Sequence, residues 1–352
     1  MAETLLLNQP DGIVAAEPLQ IFTADCSSPK EIDDGIHVRL LPGGEELYEV
    51  TVAVVDTAKL YRQRNVLDMM LARTEAKYGE EPGDQQSYTP MIDPEIIENI
   101  QFTAGQMRGA LLVSFQLGEG MPPTAPLITF DRVRVTENID YREFVNRCTK
   151  DEEYVPYGRA AAYIMAHLGY VSGGDEDDAL IDYAKEKSAE TIYRKLVGQA
   201  DERPWMIGSR FNEAFMVSAG HLVGKLFQDE GRPAIYRVHD PRDYRFSEFM
   251  HPELARYSMT PGLHSGLQLD PYCRVTSPMR RLEDAIMMHH EWLRYSGRTA
   301  SQRDVAIAQL AVQKLNQRVA AQETHKKINI ERAKQLLEKI LASGEEDLIE
   351  AA

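Results

Sequence analysis

Hydrophobic and polar residues alternate along the first two fifths of the chain in the pattern of half-buried β-strands. The alternating segments are rich in β-branched and aromatic residues, and they cover residues 19–25, 36–41, 47–56, 109–118 and 127–138. A turn signal, Pro42-Gly43-Gly44-Glu45, separates the second and third segments. These two segments are therefore predicted to form a β-hairpin.

The rest of the chain shows the spacing of apolar residues that is typical of helices. Wide apolar faces occur over residues 206–227 and 278–295, and a longer periodic stretch covers 303–341. A shorter helix is predicted over residues 58–77. Because most strands come first and most helices later, the order predicts an α+β fold rather than alternating βαβ units.

We interpret the chain as one α+β domain, in which a mixed or antiparallel sheet from the N-terminal half packs against helices mostly from the C-terminal half. The domain is expected to span residues 19–342, after an N-terminal extension of residues 1–18 and before an acidic tail of residues 343–352. A chain of this size can bury a large core without disulfides or structural metals.

The charge of the chain limits what it is expected to bind. Its 352 residues include 39 basic and 55 acidic side chains, which gives a formal net charge of −16. A broad basic surface for duplex DNA is therefore not expected, because such surfaces neutralise phosphates with Lys and Arg. The net charge does not exclude a local basic cleft that binds nucleic acid, since it says little about the charge of one site.

The cysteines and the N-terminal sequence indicate the compartment. Cys26, Cys148 and Cys273 are far apart and odd in number, which excludes a disulfide framework or a zinc ribbon and favours a reducing environment. The first residues lack the charged start and the apolar core of a signal peptide. No stretch approaches the ~20 apolar residues of a membrane span. We expect a soluble, cytoplasmic protein with no membrane partner.

The densest chemical signal is a group of four acidic residues around one turn. Asp25 ends a predicted strand, and Glu31, Asp33 and Asp34 precede the next one. Four carboxylates this close would repel one another unless a cation neutralised them, and hard oxygen ligands favour Mg²⁺ or Mn²⁺. Two such ions can activate a water and stabilise the leaving oxygen of a phosphodiester. The alternative is a solvated turn in which the Asp residues only shape the backbone.

A second signal lies at the start of a predicted C-terminal helix. Ser277 followed by Pro278 is predicted to cap that helix, which places Arg280 and Arg281 in its first turn. Cations there oppose the helix dipole, but beside free N–H groups they are well placed to bind a phosphate. The alternative is an ion pair between Arg280 and Asp284 at i+4.

Taken together, these segments resemble the catalytic domain of the ribonuclease II/R family, the RNB domain. The resemblance covers about residues 19–325, with the motifs in the family's order and roughly its spacing. The matching motifs are Asp25…Glu31-Ile32-Asp33-Asp34, Val52-Ala53-Val54-Val55-Asp56, Pro90-Met91, Glu213-Ala214-Phe215-Met216, Tyr236-Arg237-Val238-His239, His264-x-Gly266-Leu267-x-Leu269 and Thr276-Ser277-Pro278-x-Arg280-Arg281…Asp284. Each motif alone is weak evidence for this family, but the ordered set of motifs is highly specific to it.

The resemblance implies a metal-dependent exoribonuclease. Single-stranded RNA would enter a narrow tunnel and be cut from its 3′ end, releasing nucleoside 5′-monophosphates with Mg²⁺ or Mn²⁺ as the cofactor. Asp25 and Asp34 would be metal ligands, with Glu31 beside them. Asp33 would hold the second metal and orient the attacking water, and Arg280 would bind the scissile phosphate.

The resemblance also implies further substrate contacts. Tyr78 matches the family's tyrosine that stacks on the terminal base, and His264, Ser277 and Arg281 lie in matching motifs. From the length of the sequence, we expect none of the cold-shock and S1 modules that flank the domain in the family. Affinity for long RNA is therefore expected to be modest, since such modules supply most single-strand binding. A protein partner could replace them.

The sequence departs from the family pattern at four positions. Glu31 stands where Asp is common, Gly220 where Asn is usual, Met288 where His is usual, and Ala320 where Glu is expected, although Glu323 is one turn away. These departures keep open a catalytically weak or inactive RNB-fold protein that binds RNA or acts as a scaffold. A phosphodiesterase for a small nucleotide would use the same metal chemistry and also stays open.

Overall fold

A computed structural model describes residues 17–43, 46–78, 88–169, 188–239 and 254–343, with side chains described up to residue 324. Five strands in this part of the chain close into a barrel. They are β1 (Leu19–Asp25), β2 (Asp34–Leu40), β3 (Leu47–Val55), β4 (Met107–Gly118) and β5 (Leu127–Asp140). Neighbours along the chain pair antiparallel, and β1 closes the barrel by pairing parallel to β5.

The burial of the strands explains the alternation in the sequence. The predicted hairpin is confirmed, with Ile36 of β2 opposite Val52 of β3 and Leu40 opposite Tyr48. In β3, residues 50–55 are all buried, so both faces of this strand are covered. Because the barrel closes, these strands leave no unpaired edge that would invite pairing with another chain.

Eight helices in the described residues pack against the barrel and one another. They are α1 (Arg64–Arg73), α2 (Pro94–Ile100), α3 (Tyr141–Lys150), α4 (Val155–Leu168), α5 (Ala189–Gln199), α6 (Pro204–Asp229), α7 (Leu282–Tyr295) and α8 (Gln302–Ser343). A 3₁₀ turn at Leu60–Arg62 precedes α1, and β6 (Tyr236–Val238) pairs with β7 (Arg256–Ser258) in a separate small sheet. The α+β prediction is confirmed.

The helix at the centre of the helical part is α6, against which both α3 and α4 pack. Its side chains Phe211, Phe215 and Phe227 are fully buried. No described helix combines the length and the apolar character that crossing a bilayer requires. Of the expected terminal segments, residues 1–16 and 344–352 lie outside the described residues.

The helix expected over residues 58–77 ends early. It consists of the 3₁₀ turn and α1, and it stops at Arg73. Thr74 has a φ of +65° and a ψ of −32°, so its backbone departs from the right-handed helix and ends α1. Glu75 then pairs as an extended bridge with Arg281. The last residues of the expected helix are therefore extended, because they pair with a segment from the other end of the chain.

The helix expected from Pro278 starts four residues later, at Leu282. Residues before it form a turn in which the Ser277 carbonyl accepts the N–H groups of Arg280 at 3.2 Å and Arg281 at 3.0 Å. Arg281, and not Ser277, occupies the cap position, with an extended backbone at φ −137°. The helix is delayed because Arg281 must be extended to make its bridge with the segment after α1.

Helix α2 lies in a segment for which the hydrophobic pattern predicts no element. The Asp93 side chain caps it by accepting the Glu95 N–H at 3.0 Å, and Pro94 occupies the first helical position. These are ordinary helix-start signals. A helix of seven residues is too short to show a clear apolar period.

Helices α3 and α6 approach each other closely at Gly208. A Cβ built on Gly208 would lie 1.9 Å from the carbonyl oxygen of Tyr141, the first residue of α3. Only glycine permits this backbone contact. Tyr141 connects this contact with the end of β1, because the preceding residue, Asp140, pairs with Asp25.

We expect Gly208→Ala to destabilise the protein by about 1–3 kcal/mol, since the added methyl group must displace the backbone at Tyr141. Gly198 in α5 is the matched control, because the space around its Cβ position is open. Gly198→Ala should raise stability by about 1 kcal/mol through helix propensity. Urea unfolding measures both variants, and an unchanged midpoint for Gly208→Ala would contradict the close helix contact.

Candidate functional site

Two strands and the loop between them bring four carboxylates to one end of the barrel. Asp25 is the last residue of β1, and Asp34 is the first residue of β2. Glu31 and Asp33 lie on the loop and are almost fully buried, with exposed fractions of 4% and 1%. All four acidic residues singled out by the sequence therefore share one region of the structure.

Asp33 connects this region to the turn before α7. Its Oδ1 accepts the Met279 backbone N–H at 2.9 Å, and its Oδ2 accepts the Arg280 Nε–H at 3.1 Å. The Arg280 side chain is partly exposed, whereas Asp33 is buried. A buried carboxylate needs such partners, because removing a charge from water is costly. These contacts fix Arg280 beside the acidic residues.

Asp284 is not the partner of Arg280, so the i+4 ion pair considered from the sequence is wrong. The Oδ2 atom of Asp284 accepts the Ser277 N–H at 2.7 Å, and the Arg281 Nε–H and Nη2–H at 3.1 and 2.6 Å. The helical spacing does not apply, because Arg280 precedes α7. Asp284 thus stabilises the turn at residues 277–281 from inside, and Arg280 contacts Asp33 instead.

Glu31 contacts two tyrosines. Its Oε2 accepts the Tyr78 O–H at 2.5 Å, and its Oε1 accepts the Tyr88 O–H. The Tyr78 side chain is 49% exposed. Its backbone follows Ala76, whose N–H donates to the Arg280 carbonyl at 2.9 Å. Tyr78, expected to contact substrate, therefore lies next to Arg280.

Burial raises the pKa values of the carboxylates at this site. The pKa of Asp33 rises to about 7, although the positive charge of Arg280 opposes the rise. Burial, followed by the negative charge of Asp25, raises the pKa of Asp34 to about 7. Burial also raises the pKa of Asp25. A cation beside these groups would favour their charged forms.

The donor chemistry of Asp25 and Asp34 fits a hard divalent cation. Mg²⁺ is usually bound by one or two carboxylates together with waters and phosphate oxygens. The oxygens of Glu31 and Asp33 already accept hydrogen bonds from the tyrosines and from the turn. In the part of the chain that the structure describes, no three or more His, Cys, Asp or Glu residues are grouped to hold a metal ion. Asp25 and Asp34 are therefore the better-supported part of the expected ligand set.

Two aromatic residues near the site are not singled out by sequence reasoning. Burial raises the pKa of Tyr141, and the negative charges of Asp25 and Asp34 raise it further. Trp205 is half exposed and meets the Tyr141 ring edge-on, with ring centres 5.7 Å apart. The sequence offers no signal for either residue, because Tyr141 reaches the site only through the pairing of the preceding Asp140 with Asp25 across β5 and β1.

The other expected substrate contacts have different surroundings. Ser277 is buried inside the turn, and Arg281 is bound by the carboxylate of the following helix. The His264 ring meets the rings of His239 and Tyr272 edge-on at 4.7 and 5.3 Å. Burial, followed by nearby positive charges, lowers the pKa of His264 to about 3. Its imidazole is therefore neutral at pH 7.

Comparison with known sequences identifies the domain. The family model of the RNB domain matches residues 16–254. Among curated proteins, Ribonuclease R 1 of Lactococcus lactis subsp. lactis (strain IL1403) is 21% identical over an alignment of 341 residues. The match covers 78% of this chain and 39% of that protein. The chain thus spans about two fifths of the length of this relative.

Solved structures share the fold. Mycoplasma genitalium RNase R in complex with ribose methylated single-stranded RNA has a TM-score of 0.65 and 16% identity, with 94% of this chain and 59% of that chain covered. Yeast Ssd1, described as a pseudonuclease, has a TM-score of 0.59 and 12% identity, with 86% and 44% covered. Since the family model matches more than half of the sequence, the resemblance of the motifs is confirmed and the chain belongs to the RNB-domain family of ribonucleases II and R.

Proposed function

We propose that the protein is a metal-dependent 3′-to-5′ exoribonuclease that hydrolyses single-stranded RNA and releases nucleoside 5′-monophosphates. The observation that carries this proposal is the contact of Arg280 with Asp33 at 3.1 Å, beside Asp25 and Asp34. It sets a phosphate-binding guanidinium against carboxylates that suit divalent cations. This combination favours phosphodiester hydrolysis, because negative charge accumulates on the phosphate in the transition state.

Each residue of the site has a distinct part in this proposal. Asp25 and Asp34 would hold Mg²⁺ or Mn²⁺, which when bound supplies positive charge to the phosphate and lowers the pKa of a water. Arg280 donates its Nε–H to Asp33, and its two terminal nitrogens would bind a phosphate oxygen. Asp33, fixed by the Met279 N–H, orients the attacking water. The exposed ring of Tyr78 offers a stacking surface for the terminal base.

A second candidate is an RNB-fold protein that binds RNA without cleaving it. The contacts of Glu31 with two tyrosines favour it, since they remove one expected metal ligand. Yeast Ssd1, which shares the fold, is described as a pseudonuclease. The glycine at position 220 does not favour this second candidate, although the family usually has Asn there. A Cβ at Gly220 would lie 2.3 Å from the Cys273 carbonyl oxygen. Backbone fills the space that an Asn side chain would need.

A divalent ion is expected to raise the thermal midpoint of the wild-type protein, because an ion that binds only the native state stabilises it by about 2.7 kcal/mol at a hundredfold excess over Kd. The Asp25→Asn/Asp34→Asn variant should lose this shift. The control Asp68→Asn/Glu98→Gln, at two exposed positions, should keep it. Scanning fluorimetry with and without Mn²⁺ measures both, and a shift that survives in the first variant would exclude these carboxylates as ligands.

Cleavage of 5′-labelled single-stranded RNA distinguishes the two candidate functions. With Mg²⁺ or Mn²⁺, the wild-type protein should shorten the RNA from its 3′ end. Asp33→Asn should lower the rate on the order of a hundredfold or more and leave RNA affinity equal or higher, because a neutral side chain releases the Arg280 charge to phosphate. Gel assays and fluorescence anisotropy measure the two effects. RNA binding by a wild-type protein that yields no products with either ion would support the second candidate instead.

Arg280→Lys tests the placement of the phosphate. Lysine keeps the charge but cannot reproduce the planar fork of donors, so turnover should fall on the order of a hundredfold. The unfolding midpoint should change little, because Asp284 and Met279 hold the turn through other groups. Arg132→Lys, at an exposed position on β5, is the control for generic charge effects. Cleavage at the wild-type rate by Arg280→Lys would show that the scissile phosphate lies elsewhere.

A further inference from the structure

We infer that Glu31 is a positioning residue whose carboxylate fixes Tyr78 and Tyr88 beside Arg280, and that it does not act as a metal ligand. These three residues, Glu31, Tyr78 and Tyr88, are called the tyrosine clamp below. The inference deepens the proposed function and rests on it for the role of the clamp in RNA binding. The contacts of the clamp themselves are independent of that function.

Both oxygens of the Glu31 carboxylate are used within the clamp. Oε2 accepts the Tyr78 hydroxyl at 2.5 Å, and Oε1 accepts the Tyr88 hydroxyl. Glu31 is only 4% exposed. Because Mg²⁺ keeps several of its waters, a hydrated ion has no open approach to a carboxylate covered in this way.

The backbone around the two tyrosines is joined as well. Lys77 and Thr89 exchange two hydrogen bonds, with the Lys77 N–H donating at 2.8 Å and the Thr89 N–H donating at 2.9 Å. The rings of Tyr78 and Tyr88 lie 5.6 Å apart, tilted by 34°. Glu31 therefore fastens two chain positions that already form a bridged pair, and it anchors that pair to the acidic loop.

The clamp determines the position of the exposed Tyr78 ring relative to the Arg280 guanidinium. Tyr78 is half exposed, and the segment before it pairs with the backbone of Arg280 through the Ala76 N–H. A ring fixed in this place can stack on a nucleobase whose phosphate Arg280 binds. Fixing the ring in advance lowers the entropy lost on binding. The clamp should therefore act on KM for RNA more than on kcat.

The length of the Glu31 side chain distinguishes a positioning role from a metal-ligand role. Aspartate at this position is one methylene shorter, so it cannot meet both hydroxyls at once, yet it remains a competent ligand for a hard cation. A metal ligand should therefore tolerate Glu31→Asp, whereas the clamp should not. Tyr88→Phe removes a single hydroxyl from the clamp and leaves every carboxylate in place.

With a short single-stranded RNA, Glu31→Asp and Tyr88→Phe should each raise KM roughly three- to tenfold, with kcat within about twofold and the Mn²⁺ concentration for half-maximal activity unchanged. The double variant should be no worse than the poorer single variant, because both changes open the same contact. Tyr295→Phe, at an exposed tyrosine, should behave as wild type. A shifted Mn²⁺ requirement with an unchanged KM in Glu31→Asp would overturn the inference.

Amide hydrogen exchange tests the clamp without RNA, metal or activity. Exchange of the Lys77 and Thr89 amides should be faster in Glu31→Asp and in Tyr88→Phe than in the wild type, and unchanged in Tyr295→Phe. If neither clamp variant alters this exchange, the clamp is overturned even if the protein is an active ribonuclease. If the wild-type protein cleaves no RNA but both clamp variants exchange faster, the clamp stands and the proposed function fails.

Discussion

The Asp33 carboxylate accepts hydrogen bonds from a turn that lies 246 residues away in the chain, and the arrangement of the site depends on this contact. Asp33 is buried, so losing its partners would leave an uncompensated charge at a cost of about 3–5 kcal/mol. Asp284 stabilises the same turn from its other side through Ser277 and Arg281. Two buried carboxylates thus determine the direction of Arg280, which lies between them in sequence but contacts only the first.

The acidic residues that look equivalent in the sequence differ in what they contact. Asp33 binds the turn, Glu31 binds two hydroxyls, and Asp25 and Asp34 repel each other where a cation would relieve the repulsion. One short loop thereby sets the positions of a guanidinium, an aromatic ring and a candidate metal pair. The formal charge of −16 does not oppose RNA binding at such a place, since salt screens distant surface charges within about 10 Å.

The strands and the long helices could be predicted because burial leaves a local period in the sequence. The acidic group was also visible, because its members lie within ten residues of one another. The positive φ of Thr74 and the extended backbone of Arg281 could not be predicted, because each conformation follows from pairing between distant segments. The partner of Arg280 depends on where α7 begins. Tyr141 and Trp205 reach the site only through the parallel closure of the barrel and the contact of α3 with α6.

The distance along the chain between the barrel and the turn has a consequence for biosynthesis. All five barrel strands come from the first 140 residues, so they can pair while the ribosome is still adding the helical part. Asp33 has no guanidinium partner until residues 277–281 have emerged. The entropy of closing so long a loop grows only slowly with its length, so the contact can still form once the turn exists. A nascent or truncated chain would carry the carboxylates without Arg280, so the proposed hydrolysis requires the chain to be nearly complete.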